Sequence, residues 1–144
     1  MLIDSQGKDL EVRMRVLVVD DSRTMRRMII KQLAELSITD VVEAGDGKEA
    51  LTELSKLYKA KEKIDLILTD WNMPAMTGLD FVKAIRKHAF MEKVPIVMIT
   101  TNNTKADVLA AVDAGINNYI TKPFTPETLR DKIVETLKKF HGLR

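Results

Sequence analysis

The sequence predicts an α/β fold in which five helices cover a doubly wound, five-stranded parallel sheet. Three observations carry this prediction. Five short apolar, mostly β-branched runs follow one another along the chain, a segment with helical apolar spacing follows each of them, and the first, third and fourth runs are apolar almost throughout. Strands buried on both faces by helices need that last property, and right-handed crossovers then wind the helices onto both sides.

Arg15 to Val19 reads as the first strand, after which Met25, Met28, Ile29, Leu33 and Leu36 recur at the spacing of one helical face. The second strand is Asp40 to Ala44. Gly45 and Gly47 bracket the turn into a second helix carrying Ala50, Leu51, Leu54 and Leu57. Leu66 to Thr69 forms the third strand, and Gly78 precedes a third helix over Leu79 to Lys87. The fourth strand, Ile96 to Ile99, leads to a helix from Thr104 to Ala114, which Gly115 can close in the left-handed conformation. Asn118 to Thr121 is the fifth strand; Thr125 then suits an N-cap, with Pro126 at the first position of a helix running to Phe140.

A chain of 144 residues with 45% hydrophobic content has room for one compact domain, read here as 14–144 after an extension of residues 1–13. No second folded domain fits, so no DNA-binding or enzymatic output domain is expected. The absence of cysteine excludes disulfides, thiolate metal sites and thiol nucleophiles. Residues 1–11 lack the apolar stretch of a signal peptide, and no run approaches the roughly 20 apolar residues of a membrane span. A soluble, cytoplasmic protein with no membrane partner is the expectation. The net charge is +2 and the basic residues are dispersed, which argues against a nucleic-acid partner. Even the richest basic stretch, Lys56 to Lys63, reads as a solvated helix end.

In an open parallel sheet the ligand crevice lies beyond the carboxyl ends of the strands. The predicted strands bring Asp20 and Asp21, Asp70, Thr100 and Thr101, and Lys122 to that edge. Each has a plain structural reading. Asp21 or Ser22 can cap the first helix, Asp70 can start a turn through Trp71 to Pro74, Thr100 can end a strand, and Lys122 can be a surface lysine. Together they say more. Three carboxylates repel one another and one lysine cannot neutralise them, so the site should bind a divalent cation or raise a carboxylate pKa. With only hard oxygen donors the ion is Mg²⁺ or one like it, which recruits phosphate oxygens.

Asp20-Asp21-Ser22, Asp70 with Met73-Pro74 and Gly78, Thr100, and Lys122-Pro123-Phe124 together resemble the receiver domain of bacterial response regulators, over about Met14 to Phe140. The runs Thr24-Met25-Arg26-Arg27, Asp70-Trp71-Asn72-Met73-Pro74 and Lys122-Pro123-Phe124-Thr125 are similar to the chemotaxis members of that two-component system family. The resemblance implies a flavodoxin-like strand order of 2-1-3-4-5. It implies that Asp70 takes a phosphoryl group from a phosphohistidine on a chemotaxis-type histidine kinase. Mg²⁺ would be held by Asp21, Asp70 and the backbone carbonyl of Asn72, with Asp20 reaching it through water. A cis Lys122-Pro123 bond, an inward swing of Thr100 and an inward rotation of Tyr119 are implied as well. The face of the fourth helix, fifth strand and fifth helix would then bind a target, the flagellar motor switch protein in control of flagellar rotation, and a phosphatase is an expected further partner. The protein would be a signalling switch with slow autodephosphorylation rather than an enzyme.

Three departures from the family pattern stand out. The exit of the second helix, Lys56 to Lys63, and the N-terminal extension are both longer than in the chemotaxis receivers, offering extra partner contacts. Thr101 stands where the family favours a small residue, often Ala, which would narrow access to the phosphoryl group. By the same resemblance, Asn72 and Asn102 occupy the two positions that flank the route of the hydrolytic water, and their pairing leaves the phosphate lifetime open. Two other classes fit less well. An aspartyl-nucleophile Mg²⁺ phosphatase would place an Asp-x-Asp pair on the first strand, and a flavin-binding module would want a hydroxyl- and Gly-rich phosphate loop there, whereas this chain has Asp20-Asp21 and Arg23. Within the receiver class, phosphorelay to a phosphotransfer protein is the alternative output.

Overall fold

The computed structural model describes residues 14–141, so the proposed extension 1–13 lies outside the described residues. Elements alternate as β1 (Arg15–Val19), α1 (Arg23–Glu35), β2 (Asp40–Ala44), α2 (Gly47–Lys59), β3 (Leu66–Thr69), α3 (Gly78–Arg86), β4 (Ile96–Thr100), α4 (Lys105–Ala114), β5 (Asn118–Thr121) and α5 (Pro126–His141). The strands form one parallel sheet in the order β2-β1-β3-β4-β5. That is the order implied by the resemblance.

Period-two alternation along buried strands divides the core in two. On one face Leu17, Val19, Ile67, Ile96 and Met98 pack with Leu54 of α2, Phe81 and Ile85 of α3, and Ala111 of α4. On the other, Val16, Val18, Leu66, Leu68, Val97 and Ile99 pack with Ile29 and Leu33 of α1 and with Leu129, Ile133 and Leu137 of α5. Every residue of β3 and β4 is buried, which accounts for their continuous apolar sequence.

Helix starts follow side-chain capping. Ser22, Asp46, Thr77 and Thr104 each accept a hydrogen bond from the backbone N–H three residues on, and Thr125 does the same from the Thr128 N–H, with Pro126 beginning α5. Because Ser22 takes the capping role in α1, Asp21 is left out of it. Gly115 closes α4 at φ 118°, as expected. Four details differ from the sequence reading. β4 runs one residue further, to Thr100, because its register with β5 continues through Thr121. Thr77 rather than Gly78 is the N-cap of α3, making Gly78 its first residue. A 3-10 turn, Ala89–Met91, follows α3. Met28 lies at the edge of the apolar stripe of α1 and is exposed, while Ile29 and Leu33 hold the contact with the sheet.

Candidate functional site

β1, β3 and β5 end at the same edge of the sheet and deliver Asp20, Asp70 and Lys122 to one point. Asp20 and Asp70 are buried, at 2% and 7% exposure, although both are ionisable. Such burial needs compensation. Lys122 supplies it: its Nζ lies 2.8 Å from Oδ2 of Asp20 and 3.2 Å from Oδ2 of Asp70. Burial pulls the Lys122 pKa down, but the hydrogen bond to Asp20 and the charges of Asp70 and Asp20 outweigh it, and the net shift is upward. The lysine therefore stays an ammonium at physiological pH.

The other carboxylate oxygens are also held. Oδ1 of Asp20 accepts the backbone N–H of Ser22 at 2.8 Å. Oδ1 of Asp70 accepts the N–H of Trp71 at 2.6 Å and, more weakly, that of Asn72 at 3.4 Å. Asp70 thus begins the turn toward Pro74 and faces the lysine at the same time; the two readings of this residue are compatible. Behind it, Gly78 packs so tightly that a Cβ would fall 1.8 Å from the Asp70 carbonyl oxygen. A side chain there would push Asp70 out of position.

Asp21 is exposed at the mouth of the pocket, and one carboxylate oxygen from each of Asp20, Asp21 and Asp70 lies within 4.8 Å of the others. Three hard anionic donors beside a single ammonium match a divalent cation of the Mg²⁺ type, so the acidic cluster can hold such an ion.

The remaining candidates surround this centre. Thr100 is fully buried, and its hydroxyl accepts the backbone N–H of Asn102 at 3.3 Å. Thr101 is exposed. Asn72 Nδ2 donates to Asn102 Oδ1 at 2.7 Å, joining the loops after β3 and β4. Tyr119 is half-buried, packs against the core, and has a buried hydroxyl with no hydrogen-bond partner among the described residues. Burial, Asp107 and Asp70 in that order raise its pKa. Trp71 also packs against the core rather than standing free in the site. The Lys122-Pro123 peptide is cis.

Two residues have a part in this geometry to which the sequence assigns no structural role. Arg26 donates from Nη1 to the Asp20 carbonyl at 2.6 Å and from Nε to Glu43 at 3.0 Å, tying α1 to the ends of β1 and β2. Arg86 spans Gly115 O, Met91 O and the Asn117 side chain, binding α3 to the turn before β5. The sequence assigns neither a role, because tertiary packing sets their partners: Arg26 joins the Asp20 carbonyl to the Glu43 carboxylate on the neighbouring strand, and Arg86 reaches the Gly115 carbonyl and the Asn117 side chain.

Parallel β2-β1-β3-β4-β5 topology with an Asp–Asp–Asp–Lys constellation beyond the strand ends defines a receiver, and residues 16–134 match the family model for the response regulator receiver domain. The chain belongs to that family. Its relatives include a chemotaxis protein CheY homolog of Campylobacter jejuni, 48% identical over 124 residues that span 86% of this chain and 92% of the relative. Among solved structures it is similar to the chemotaxis response regulator CheY4 of Vibrio cholerae, at TM-score 0.79 and 36% identity over 88% of this chain and all of that one. It is also similar to the phosphorylated cyanobacterial phytochrome response regulator RcpA, at TM-score 0.76 and 26% identity over 90% and 94% of the two chains. The protein is a CheY-like response regulator receiver with chemotaxis homologues. Among the described residues no helix is long and apolar enough to cross a membrane.

Proposed function

We propose that this protein is a chemotaxis response regulator in which Asp70 is the phospho-acceptor, working with Mg²⁺ in the cytoplasm. The observation that carries the reading is the placement of Asp70: a buried carboxylate within 3.2 Å of the Lys122 ammonium and within 4.8 Å of two further carboxylates. A carboxylate oxygen of Asp70 attacks the phosphorus of a phosphohistidine on a chemotaxis-type kinase. The P–N bond breaks, the imidazole leaves with the bonding pair, and an acyl phosphate remains on Asp70. Lys122 already touches Oδ2 of Asp70 and contributes positive charge where phosphoryl oxygens arrive. Asp21, Asp70 and the Asn72 carbonyl would hold the Mg²⁺ ion, with Asp20 reaching it through water, and the ion when bound supplies further positive charge to those oxygens. The relative RcpA, crystallised in phosphorylated form, supports this reading.

The switch follows from Thr100 and Tyr119. The Thr100 hydroxyl turns toward the new phosphoryl group and donates to it, and Tyr119 responds on the neighbouring strand, where its unpartnered hydroxyl leaves it without a bond to one rotamer. The face of α4, β5 and α5 then changes shape and binds the target, for which the flagellar motor switch protein is the reading favoured by the chemotaxis relatives. Leu109 and Val112 on α4 are each 54% exposed, which suits a docking surface. Thr101 and Asn102 set access of water to the phosphoryl group, and a phosphatase is expected to act there.

Incubation with acetyl phosphate and Mg²⁺, followed by borohydride trapping and peptide mass spectrometry, tests the acceptor. Modification at Asp70 that disappears in Asp70→Asn is the expected result; modification elsewhere, or none, overturns the reading. A Thr101→Ala variant is expected to dephosphorylate at a different rate while still accepting phosphate, and equal rates would remove the access role of Thr101.

A further inference from the structure

At the end of the sheet opposite the acidic pocket, an open groove of about 600 Å³ runs between the last turn of α2 and the chain entering β4. Tyr58 and Phe90 stand on its wall, 59% and 48% exposed, with their rings stacked at a centroid distance of 4.4 Å and 27° between planes. Two large aromatics presented to solvent in mutual contact form a patch, which solvent exposure alone does not explain.

The rim of the groove is basic. Lys61, Lys63 and Lys93 are exposed and lie in no ion pair among the described residues. The acids on the same rim are already engaged by Arg15, whose guanidinium lies 3.0 Å from Glu62 and whose backbone N–H donates to Asp65 at 2.9 Å. With three lysines against these two acids, the rim keeps an excess of positive charge beside an apolar floor.

Arg15 also marks where residues 1–13 join the fold, since only Met14 separates it from them. The extension contains Asp9-Leu10-Glu11-Val12, an alternation of acid and apolar residues. Extended chain of this pattern puts carboxylates on one side and aliphatic groups on the other. Asp9 is five residues from Met14, about 17 Å of extended chain, which places it within reach of a rim that Arg15 itself contacts.

We propose that residues 9–12 dock in this groove, their apolar side chains toward the Tyr58–Phe90 pair and their acids toward Lys61, Lys63 and Lys93. Tethering makes the contact intramolecular, so a weak interaction suffices to hold it. The groove is remote from Asp70, and its occupancy does not depend on the phospho-acceptor reading.

Hydrogen exchange of the full chain, followed by mass spectrometry, tests the docking against a synthetic peptide of residues 1–13 as reference. The amides of residues 9–12 should exchange about tenfold more slowly than in the free peptide, which corresponds to roughly nine molecules in ten docked. Reversing the rim with Lys61→Glu, Lys63→Glu and Lys93→Glu should return them to the free-peptide rate. Adding Asp9→Lys and Glu11→Lys to that variant should restore protection. Free-peptide exchange in the parent chain overturns the proposal, as does protection indifferent to rim reversal. Protection that rises with protein concentration overturns it in favour of a second copy as the occupant.

Discussion

Asp21 illustrates the conflict built into the site. Its carboxylate sits within 4.8 Å of two others, while among the described residues the lysine pairs with Asp20 and Asp70. Without a cation this arrangement is repulsive. Asp21→Ala is therefore expected to raise the urea midpoint of the metal-free protein and to weaken Mg²⁺ binding by at least about tenfold; denaturation with and without Mg²⁺ reads both effects. Lys122 has the opposite role. Lys122→Met leaves Asp20 and Asp70 buried without their cation and should cost about 3 kcal/mol at pH 7, the low end for breaking a buried pair because the lysine is 14% exposed. Its folded-state pKa is raised above the ordinary 10.5, so its contribution is fully present below that value and is lost as pH rises through the folded value. The stability gap between parent and Lys122→Met should hold from neutral pH to about pH 10 and narrow above it. The sequence disclosed all three carboxylates and the lysine, because each lies within two residues of the end of a strand. It did not disclose the roles of Arg26 or Arg86, whose partners, backbone carbonyls together with Glu43 and Asn117, are set by tertiary packing.

At the scale of elements, backbone conformation at the helix ends gives two further expectations. α1 ends in a turn that places Ser37 at φ 65°, with its N–H bonded to the Ala34 carbonyl. A residue with a Cβ pays a penalty in this region that glycine does not, so Ser37→Gly should stabilise the protein by about 1 kcal/mol in a thermal or urea melt. At the start of α3 the opposite holds. Gly78 abuts backbone that cannot yield, and Gly78→Ala should destabilise by at least about 2 kcal/mol while displacing Asp70 and slowing its phosphorylation. β-branched runs located the five strands almost to the residue, since continuous apolar sequence bounded by polar loop residues leaves little freedom. Helix starts were less legible: Thr77 caps α3 although Gly78 draws the eye. The 3-10 turn at Ala89–Met91 had no periodicity to announce it.

For the whole molecule, two apolar layers clamp one sheet, and that sheet separates two ends of different character. One end gathers Asp20, Asp21, Asp70, Thr100 and Lys122, and the other holds the Tyr58–Phe90 groove. The topology rule for open parallel sheets makes the first end readable from the sequence. The second was hidden, because Tyr58 and Phe90 are 32 residues apart and meet only once α2 and the segment before β4 are packed. The central claim is that Asp70 receives the phosphoryl group with Mg²⁺ and switches the fold. Its most direct test is a titration with Mg²⁺ and then beryllofluoride, an acyl-phosphate mimic, following Trp71, the only tryptophan and the neighbour of Asp70. Calorimetry run in parallel covers a silent fluorophore. Mg²⁺-dependent beryllofluoride binding in the parent protein, absent in Asp70→Asn, is the predicted result. Binding by neither protein, or equal binding by both, would contradict the account.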